Sequence, residues 1–136
     1  MNAMRAVVDI NVLVSALINR TGSPGQIIDK IRALALTPVV SPEILDEYSE
    51  VLRRARFGFA PAQVETLLAD MQGLAQPARP APIALAGLPD PDDAPFIAAA
   101  LWAACPIVTG NARHFPADAG VEILSPSACV ERLLKG

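Results

Sequence analysis

RAVVDINVLVSAL, residues 5–17, is the stretch that decides the fold of this 136-residue chain. Its short apolar run at 6–8 is β-branched and predicts a buried strand. The spacing of Leu13 and Leu17 then predicts a helix that begins just after Asn11. A strand that turns directly into a helix is typical of the opening unit of an α/β fold.

The remainder of the chain continues this alternation. Further strands are predicted at 38–40, 107–108 and 121–124, with a weak one at 83–85. Helices are predicted at 26–35, 42–56, 62–73, 93–104 and 126–134. A loop at 21–25 and a proline-rich connection at 76–82 hold no long regular element. The alternation favours a three-layer α/β fold with a central, mainly parallel sheet flanked by helices, and residues 1–136 are predicted to form a single domain.

The composition excludes several classes of protein. Hydrophobic residues make up 52% of the chain and charged residues 18%, which argues against disorder. No apolar run approaches the roughly 20 residues that span a bilayer. The apolar N-terminal stretch is interrupted by Asp9 and Asn11, and no signal cleavage site follows it. We therefore expect a soluble, cytoplasmic protein without a membrane partner.

The cysteines and the net charge bear on possible cofactors and partners. Cys105 and Cys129 are the two cysteines and His114 is the single histidine, without the spacing of a zinc site. Both thiols are expected to be buried and structural. The net charge of −3 speaks against nucleic acid as a partner, because phosphates are bound by basic patches. That objection weakens if several acids hold divalent cations.

Two polar residues directly follow predicted strands. Asp9 follows the strand at 6–8, and Thr109 follows the strand at 107–108. Ligands of an open α/β sheet bind outside the carboxyl ends of the strands, so both positions are candidates for a site. The alternative for Asp9 is to cap the next helix, for which Asn11 is better placed. The alternative for Thr109 is to cap its own turn.

The helix at 42–56 contains several acids that differ in the face they occupy. Successive residues turn by about 100°, and the apolar side is centred on Tyr48. Glu47 lies about 40° beyond Val51 at the edge of that side and can reach inward. Asp46 and Glu50 fall near the opposite face and are predicted to be solvated. Because boundary glutamates are common on surface helices, phase alone leaves the role of Glu47 open.

The segment DPDDAP, residues 90–95, places three acids at the start of the helix at 93–104. Counted back from Phe96 at about 100° per residue, Asp93 falls near the centre of the apolar side and Asp92 at its edge. An acid aimed at the core is costly unless its charge is compensated, which favours a functional role for Asp93. Asp90 or Asp92 is expected to cap the helix. The apolar side is predicted to comprise Phe96, Ile97, Ala100, Leu101 and Ala104.

Asp9, Glu47 and Asp93 can converge on one crevice at the carboxyl edge of such a sheet. Clustered carboxylates repel one another unless cations intervene. Oxygen ligands without histidine or thiol suit Mg²⁺ or Mn²⁺. Such an ion can activate water and stabilise the charge that develops when a phosphodiester is cleaved.

Four stretches, in this order, resemble a known family: VVDINVLVSAL from Val7, SPEILDEYSEVL from Ser41, DPDDAPFIAAAL from Asp90 and IVTGN from Ile107. Together they are similar to the PIN-domain family, and most of all to the toxin components of bacterial toxin–antitoxin pairs. The resemblance covers essentially the whole chain. It implies an RNA substrate, a cognate antitoxin that blocks the site, and dimerisation, which is common among relatives.

The resemblance also implies residue roles. Asp9, Glu47 and Asp93 match the metal-binding acids of a Mg²⁺- or Mn²⁺-dependent ribonuclease, and they coincide with the acids chosen from strand ends and helical phase. Thr109 and Asn111 would then support the coordination shell and the attacking water.

Several residues are secondary candidates. Asn11, Asp92 and Arg113 lie next to predicted site positions, and Arg113 is the candidate phosphate contact. Three arginines are predicted to complement the C-terminus of their helix rather than to contact RNA, namely Arg53, Arg54 and Arg56. Trp102 lies off the apolar face of its helix and is a candidate for a partner or dimer interface.

Two departures from the family pattern motivate an alternative function. Ile10 stands where the family usually has Thr or Ser, and Asn111 stands where many relatives have an aspartate. A catalytically weak PIN-like module that binds RNA or protein is therefore the main alternative. A phosphate-transfer enzyme of the haloacid-dehalogenase type ranks lower, because it would require an acid at the position of Asn11.

Overall fold

The computed structural model describes residues 3–80, 91–115 and 120–135. Its strands are β1 Met4–Val8, β2 Leu36–Val40, β3 Gln76–Pro77, β4 Ile107–Val108 and β5 Ile123–Leu124. Its helices are α1 Ile10–Ile18, α2 Ser23–Arg32, α3 Pro42–Leu52, α4 Pro61–Gly73, α5 Ala94–Ala103 and α6 Pro126–Lys135. Short 3-10 turns lie at Ala55–Phe57, Pro91–Asp93 and Ala112–His114. The strands of these ranges form one parallel sheet in the order β3-β2-β1-β4-β5, which confirms the predicted α/β class.

β1 lies at the centre of the sheet because it is apolar on both faces. Val7 and Val8 have no exposed surface, and β1 pairs with β2 on one side and with β4 on the other. A strand that is buried on both faces needs a near-continuous apolar run, as residues 6–8 provide. Helices α2, α4 and α5 pack on β2, and α5 also packs on β1 and β4. The central strands are therefore flanked by helices.

The strand order reverses between β1 and β4. From β1 the chain runs outward through β2 to β3, and it then crosses back to place β4 and β5 on the other side. A crevice forms at the carboxyl ends of the strands at such a reversal. Asp9 follows β1 and Thr109 follows β4, so both predicted residues lie at the reversal.

The boundaries of α2 differ from the helix predicted at 26–35. The helix begins at Ser23 because Pro24 occupies its first turn, where a proline loses no intrahelical hydrogen bond. The helix ends at Arg32, and Leu34 beyond it adopts a left-handed conformation with φ of 65°. The predicted loop at 21–25 is correspondingly shorter.

Gly25 lies inside α2 because the chain before the helix passes very close to it. A Cβ atom at this position would lie 2.1 Å from the carbonyl oxygen of Arg20. We expect Gly25→Ala to lower the free energy of unfolding by about 1 to 3 kcal/mol, despite the better helix propensity of alanine. Gly73→Ala in α4 is the matched control, since none of the neighbouring described atoms lies within 4 Å of its Cβ position. Urea unfolding measures both variants, and equal stability of the two would contradict the prediction.

α3 is shorter than the helix predicted at 42–56. It begins at Pro42 with the Ser41 side chain as its cap, as the sequence indicates, but it ends at Leu52. Residues 55–57 form a separate 3-10 turn that ends at Gly58, whose φ of 62° is left-handed and suits glycine. The predicted continuation to residue 56 is therefore wrong.

The three arginines after α3 have local partners. Arg53 donates from Nε to Ser49 Oγ at 3.1 Å, and Arg54 forms an ion pair of 3.1 Å with Glu50. The guanidinium of Arg56 lies 4.8 Å from the centre of the Phe57 ring. No basic residue lies in the last turn of α3, but Arg53 is its C-cap residue, so complementation of this helix end stays a prediction.

The sheet is wider at one edge than the strand pattern predicts. β2 begins at Leu36, and Gln76–Pro77, predicted as a connection, pairs with 39–40 as the edge strand β3. An edge strand tolerates proline because its outer side needs no backbone donor. On the other edge, β5 begins at Ile123 rather than at 121. The predicted strand at 83–85 and the residue Asp90 lie outside the described residues.

The buried face of α5 differs in part from the predicted one. Phe96, Ile97 and Ala100 are buried as predicted, but Leu101 is 46% exposed and Ala104 is exposed. Ala104 has a left-handed φ of 51° and ends the helix, so it leaves the helical phase. Small side chains let the helix approach the sheet over a broad arc, and this arc also buries Ala98, Ala99 and Ala103. Trp102 is 47% exposed, in agreement with its predicted place off the apolar face.

The two thiols are buried and form no disulfide, as predicted. Burial raises the pKa of the Cys129 thiol to about 11 and also raises the pKa of Cys105.

Among the described residues, no helix is both long enough and apolar enough to cross a bilayer.

Candidate active site at the ends of β1 and β4

A hydrogen bond joins the two strand ends at the reversal. The parallel register pairs Val8 with Val108, so Asp9 and Thr109 leave the sheet side by side. The Thr109 hydroxyl donates to Oδ2 of Asp9 at 2.7 Å. Asp9 is only 6% exposed and Thr109 only 1% exposed. A buried carboxylate requires donors of this kind, because burial without them is costly.

Thr109 also organises the turn that follows β4. Its Oγ1 accepts a hydrogen bond of 3.0 Å from the backbone N–H of Asn111. The sequence left two alternatives for this residue, a site hydroxyl and a cap for its own turn. Its hydroxyl makes both contacts, because a hydroxyl donates one hydrogen bond and accepts others.

Asn11 ties α1 to the same turn. Its Nδ2 donates to Thr109 Oγ1 at 3.4 Å, and its Oδ1 accepts from the N–H of Gly110 at 3.3 Å. The expectation that Asn11 caps α1 is wrong, because Asp9 holds the N-cap position and Asn11 lies within the first turn. The side chain of Asp9 makes no capping hydrogen bond to α1. Its carboxylate is instead directed to Thr109.

Ile10 is partly buried and packs against the hydrophobic core. The family usually has a hydroxyl residue at this position. In this chain the hydroxyl that contacts Asp9 comes from Thr109, one strand away. The departure at Ile10 therefore leaves the carboxylate of Asp9 with a hydroxyl donor.

Tyr48 connects α3 to the end of β1. Its side chain has no exposed surface, and its hydroxyl donates to the carbonyl oxygen of Val8 at 2.5 Å. Burial, and secondly the negative charge of Asp9, raise the pKa of Tyr48 above its usual range. The phenol is therefore a neutral donor. Sequence reasoning placed Tyr48 in the core but missed this contact, although a buried tyrosine hydroxyl requires a partner.

The ring of Tyr48 also contacts α5. The centres of the Tyr48 and Phe96 rings lie 6.2 Å apart. Glu47 directly precedes Tyr48 and is partly buried, while Asp93 lies one turn before Phe96. The elements that bear Asp9, Glu47 and Asp93 thus meet around one buried tyrosine.

The burial of the acids agrees with the helical phases. Asp93 is 8% exposed, whereas Asp92 is exposed. On α3, Glu47 is at the boundary, and Asp46 and Glu50 are exposed. Phase therefore separates inward acids from solvated ones correctly on both helices. The expectation that Asp92 caps the helix is wrong, because Asp93 holds the N-cap position of α5, where its side chain makes no capping hydrogen bond.

The oxygen atoms of the site suit a hard divalent cation, although they do not form a complete coordination shell. The nearby side chains offer carboxylate, hydroxyl and amide oxygens, and neither thiol lies among them, which fits Mg²⁺ or Mn²⁺. Within residues 3–80, 91–115 and 120–135, no three or more Asp, Glu, His or Cys side chains are grouped so as to hold a metal ion. The assignment of Asp9, Glu47 and Asp93 as metal ligands stays a prediction.

A cleft of about 390 Å³ opens beside the hydrogen-bonded strand ends. It shares Asn11, Gly110 and Asn111 with the network around Thr109. Arg113 also lines it, so the residue predicted to contact phosphate lies next to the site. Asn111 is partly buried at the boundary between the network and the cleft.

A parallel α/β sheet with buried polar side chains at its strand-order reversal defines a class of ligand-binding and catalytic domains. A sequence model described as PIN domain matches residues 5–113 of the chain. The chain belongs to the PIN-domain family, whose members are in general nucleases that use divalent metals. No curated protein matches the chain significantly. The matched region ends at Arg113, and β5 beyond it pairs with β4 in the same sheet.

Proposed function

We propose that the protein is a ribonuclease that hydrolyses RNA phosphodiesters with Mg²⁺ or Mn²⁺. The observation that carries the proposal is the buried hydrogen bond between Thr109 and Asp9 at the strand-order reversal. It holds a carboxylate in a fixed orientation where ligands of parallel sheets bind. Membership of the PIN-domain family supports nuclease chemistry at this place.

Each residue of the site has a role in this proposal. Asp9, Glu47 and Asp93 would hold the ion, which when bound activates water and stabilises charge on the phosphate. Thr109 orients the carboxylate of Asp9 through its hydroxyl.

The surrounding residues complete the site. Asn11 fixes the turn after β4 against α1 through its amide. Asn111 offers an amide that orients water, and Arg113 contributes a positive charge toward a phosphate of the substrate. Asp92 is exposed and belongs to the periphery of the site.

We further propose that the protein acts in the cytoplasm as the toxin component of a toxin–antitoxin pair. The similarity of its four sequence stretches to such toxins supports this role. A cognate antitoxin and a second copy of the chain are the partners that the resemblance implies. The exposed Leu101 and Trp102 on α5 are candidates for one of these contacts.

A metal titration with a single-stranded RNA substrate tests the nuclease proposal. We expect no cleavage of the labelled RNA in EDTA and concentration-dependent cleavage as Mn²⁺ or Mg²⁺ is added, with Ca²⁺ as a control ion. A protein that binds the RNA but does not cleave it with any of these ions would contradict the proposal. That result would favour the alternative, a catalytically weak PIN-like binding module.

A further inference from the structure

The cleft beside the strand ends runs away from Asp9 along α1. Asn11 and Ser15 both line it, and residues four apart occupy the same face of a helix. Asn11 is also bonded to the turn that holds Thr109, so it marks the end of the cleft near Asp9. Ser15, one helical turn further, is exposed at the other end. A ligand in this cleft would adjoin the site without occupying it.

The walls of the cleft combine three kinds of surface. Pro24 contributes apolar surface, whereas Val12 is only 1% exposed and Pro126 is buried; the prolines at the starts of α2 and α6 are rigid. Ser15 and the two amides contribute neutral hydrogen-bonding groups. Among the described residues that line the cleft, Arg113 has the only formal charge. This set matches a ligand with hydrogen-bonding edges, a negative charge and one apolar face that can lie on Pro24.

A second cleft of similar volume carries a charge of the opposite sign. It has a volume of about 330 Å³ and lies at the amino ends of the strands, where Pro106 and Val121 precede β4 and β5. Its charged lining residue among the described ones is Glu122, which would repel a phosphate. Similar volume therefore does not by itself indicate an anionic ligand, whereas the position of Arg113 does.

We propose that the first cleft binds one unpaired nucleotide of the RNA substrate, next to the phosphate that is cleaved. The base lies against the exposed part of Pro24. Ser15 and Asn111 contact its polar edge, and Arg113 contacts its phosphate. This inference rests on the proposed ribonuclease function and makes the cleft the element that selects unpaired RNA. Ser15 and Arg113 are then specificity-determining residues outside the acid cluster.

The size of the cleft supports a single nucleotide as the occupant. Its volume of about 390 Å³ lies near the lower end of the range for small-ligand pockets, about 300 to 1,000 Å³. A paired base could not enter, because its edge is engaged and its faces are stacked in the helix. Single-stranded RNA, whose bases can be turned outward, is therefore the form that fits.

Binding of RNA in EDTA tests this proposal without depending on cleavage. The probes are a fluorescently labelled single-stranded RNA hexamer and the same strand in a duplex, measured by anisotropy. We expect Ser15→Trp, which fills the cleft from an exposed helix position, to weaken binding of the single strand by about 10-fold or more. Arg113→Gln should weaken it as well and reduce the salt dependence of binding by about one ion.

Matched variants separate filling of the cleft from general effects. Ile18→Trp places the same bulky side chain on the same helix, at a position that is 69% exposed and does not line the cleft, and it should bind like the wild type. Ser15→Ala removes only the hydroxyl and should have a smaller effect than Ser15→Trp. Circular dichroism and thermal unfolding check that each variant is folded.

The outcomes distinguish this inference from the proposed function. If the wild type cleaves RNA but folded Ser15→Trp binds the single strand as tightly as Ile18→Trp does, the cleft proposal is overturned and the nuclease stands. If Ser15→Trp weakens binding but the wild type cleaves nothing with Mn²⁺, the cleft stands as a binding site for an unpaired nucleotide, and both the nuclease and the placement of the cleft next to a cleaved phosphate fail. Equal affinity of the wild type for the hexamer and the duplex would also overturn the selection of unpaired RNA.

Discussion

Asp9→Asn is expected to reduce metal-dependent cleavage of single-stranded RNA by about 10²- to 10³-fold, the cost of removing one preorganised electrostatic group from an active site. The substitution keeps the size of the side chain but removes its negative charge. Thr109 donates its hydroxyl to Asp9 at 2.7 Å, and an asparagine oxygen can still accept that bond. The loss should therefore appear in metal binding and cleavage rather than in folding.

Asp46→Asn is the matched control for this variant. Asp46 is exposed on α3, directly beside Glu47. Its substitution by asparagine makes the same change of charge and size as Asp9→Asn does. We expect its cleavage rate and metal affinity to stay near those of the wild type. Calorimetric titration with Mn²⁺ and a cleavage time course measure both proteins. If Asp9→Asn bound Mn²⁺ and cleaved RNA like Asp46→Asn, the assignment of Asp9 as a metal ligand would be wrong.

Thr109→Val is expected to weaken cleavage at limiting Mn²⁺ by about 10- to 100-fold, as one hydrogen bond to a charged group contributes about 1.5 to 3 kcal/mol. Valine has nearly the same shape as threonine and suits the end of a strand. It removes the donor to Asp9 and the acceptor for the N–H of Asn111. The carboxylate then loses its fixed orientation, and the turn after β4 loses one of its two hydrogen bonds to Asn11 on α1.

Thr109→Ser separates the hydroxyl from the packing of the side chain. Serine retains the donor and the acceptor but lacks the methyl group, so its cleavage at limiting Mn²⁺ should stay within a few-fold of the wild type. A role of Thr109 in packing alone predicts the opposite order, with Val closer to the wild type than Ser. The cleavage rates of the two variants across a Mn²⁺ series decide between these roles.

The site could be predicted from the sequence to different depths at different residues. Asp93 could be assigned from phase, because a helix start with Phe96 inward places it on the buried side, where it is found. Asp9 and Thr109 could be nominated as strand-end residues, but their pairing depends on β1 and β4 being neighbours. The contacts of Asn11 and Tyr48 could not be predicted, because both side chains form hydrogen bonds to groups on other elements.

Some elements of the fold could likewise be predicted from the sequence, and others could not. The apolar run at 6–8 and the helix that follows it mark a central strand, since burial on both faces leaves a local trace in the sequence. The edge strand at Gln76–Pro77 left no such trace, because two residues are too few for a period and proline disfavours a strand. The buried face of α5 was predicted only in part: Ala104 is left-handed and leaves the helical phase, whereas Leu101 keeps that phase but is 46% exposed.

The sequence by itself therefore determined the α/β class, the central strand β1 and which acids turn inward, since each follows from a periodicity of neighbouring residues. The tertiary structure decided that Asp9 is bonded to Thr109, 100 positions along the chain, and that Asn11 and Tyr48 hold that arrangement. It also decided that a cleft lined by Arg113 lies next to Asp9 and Thr109. The reason is physical: burial depends on local pattern, whereas contact between distant side chains depends on strand order and register, which no local pattern encodes.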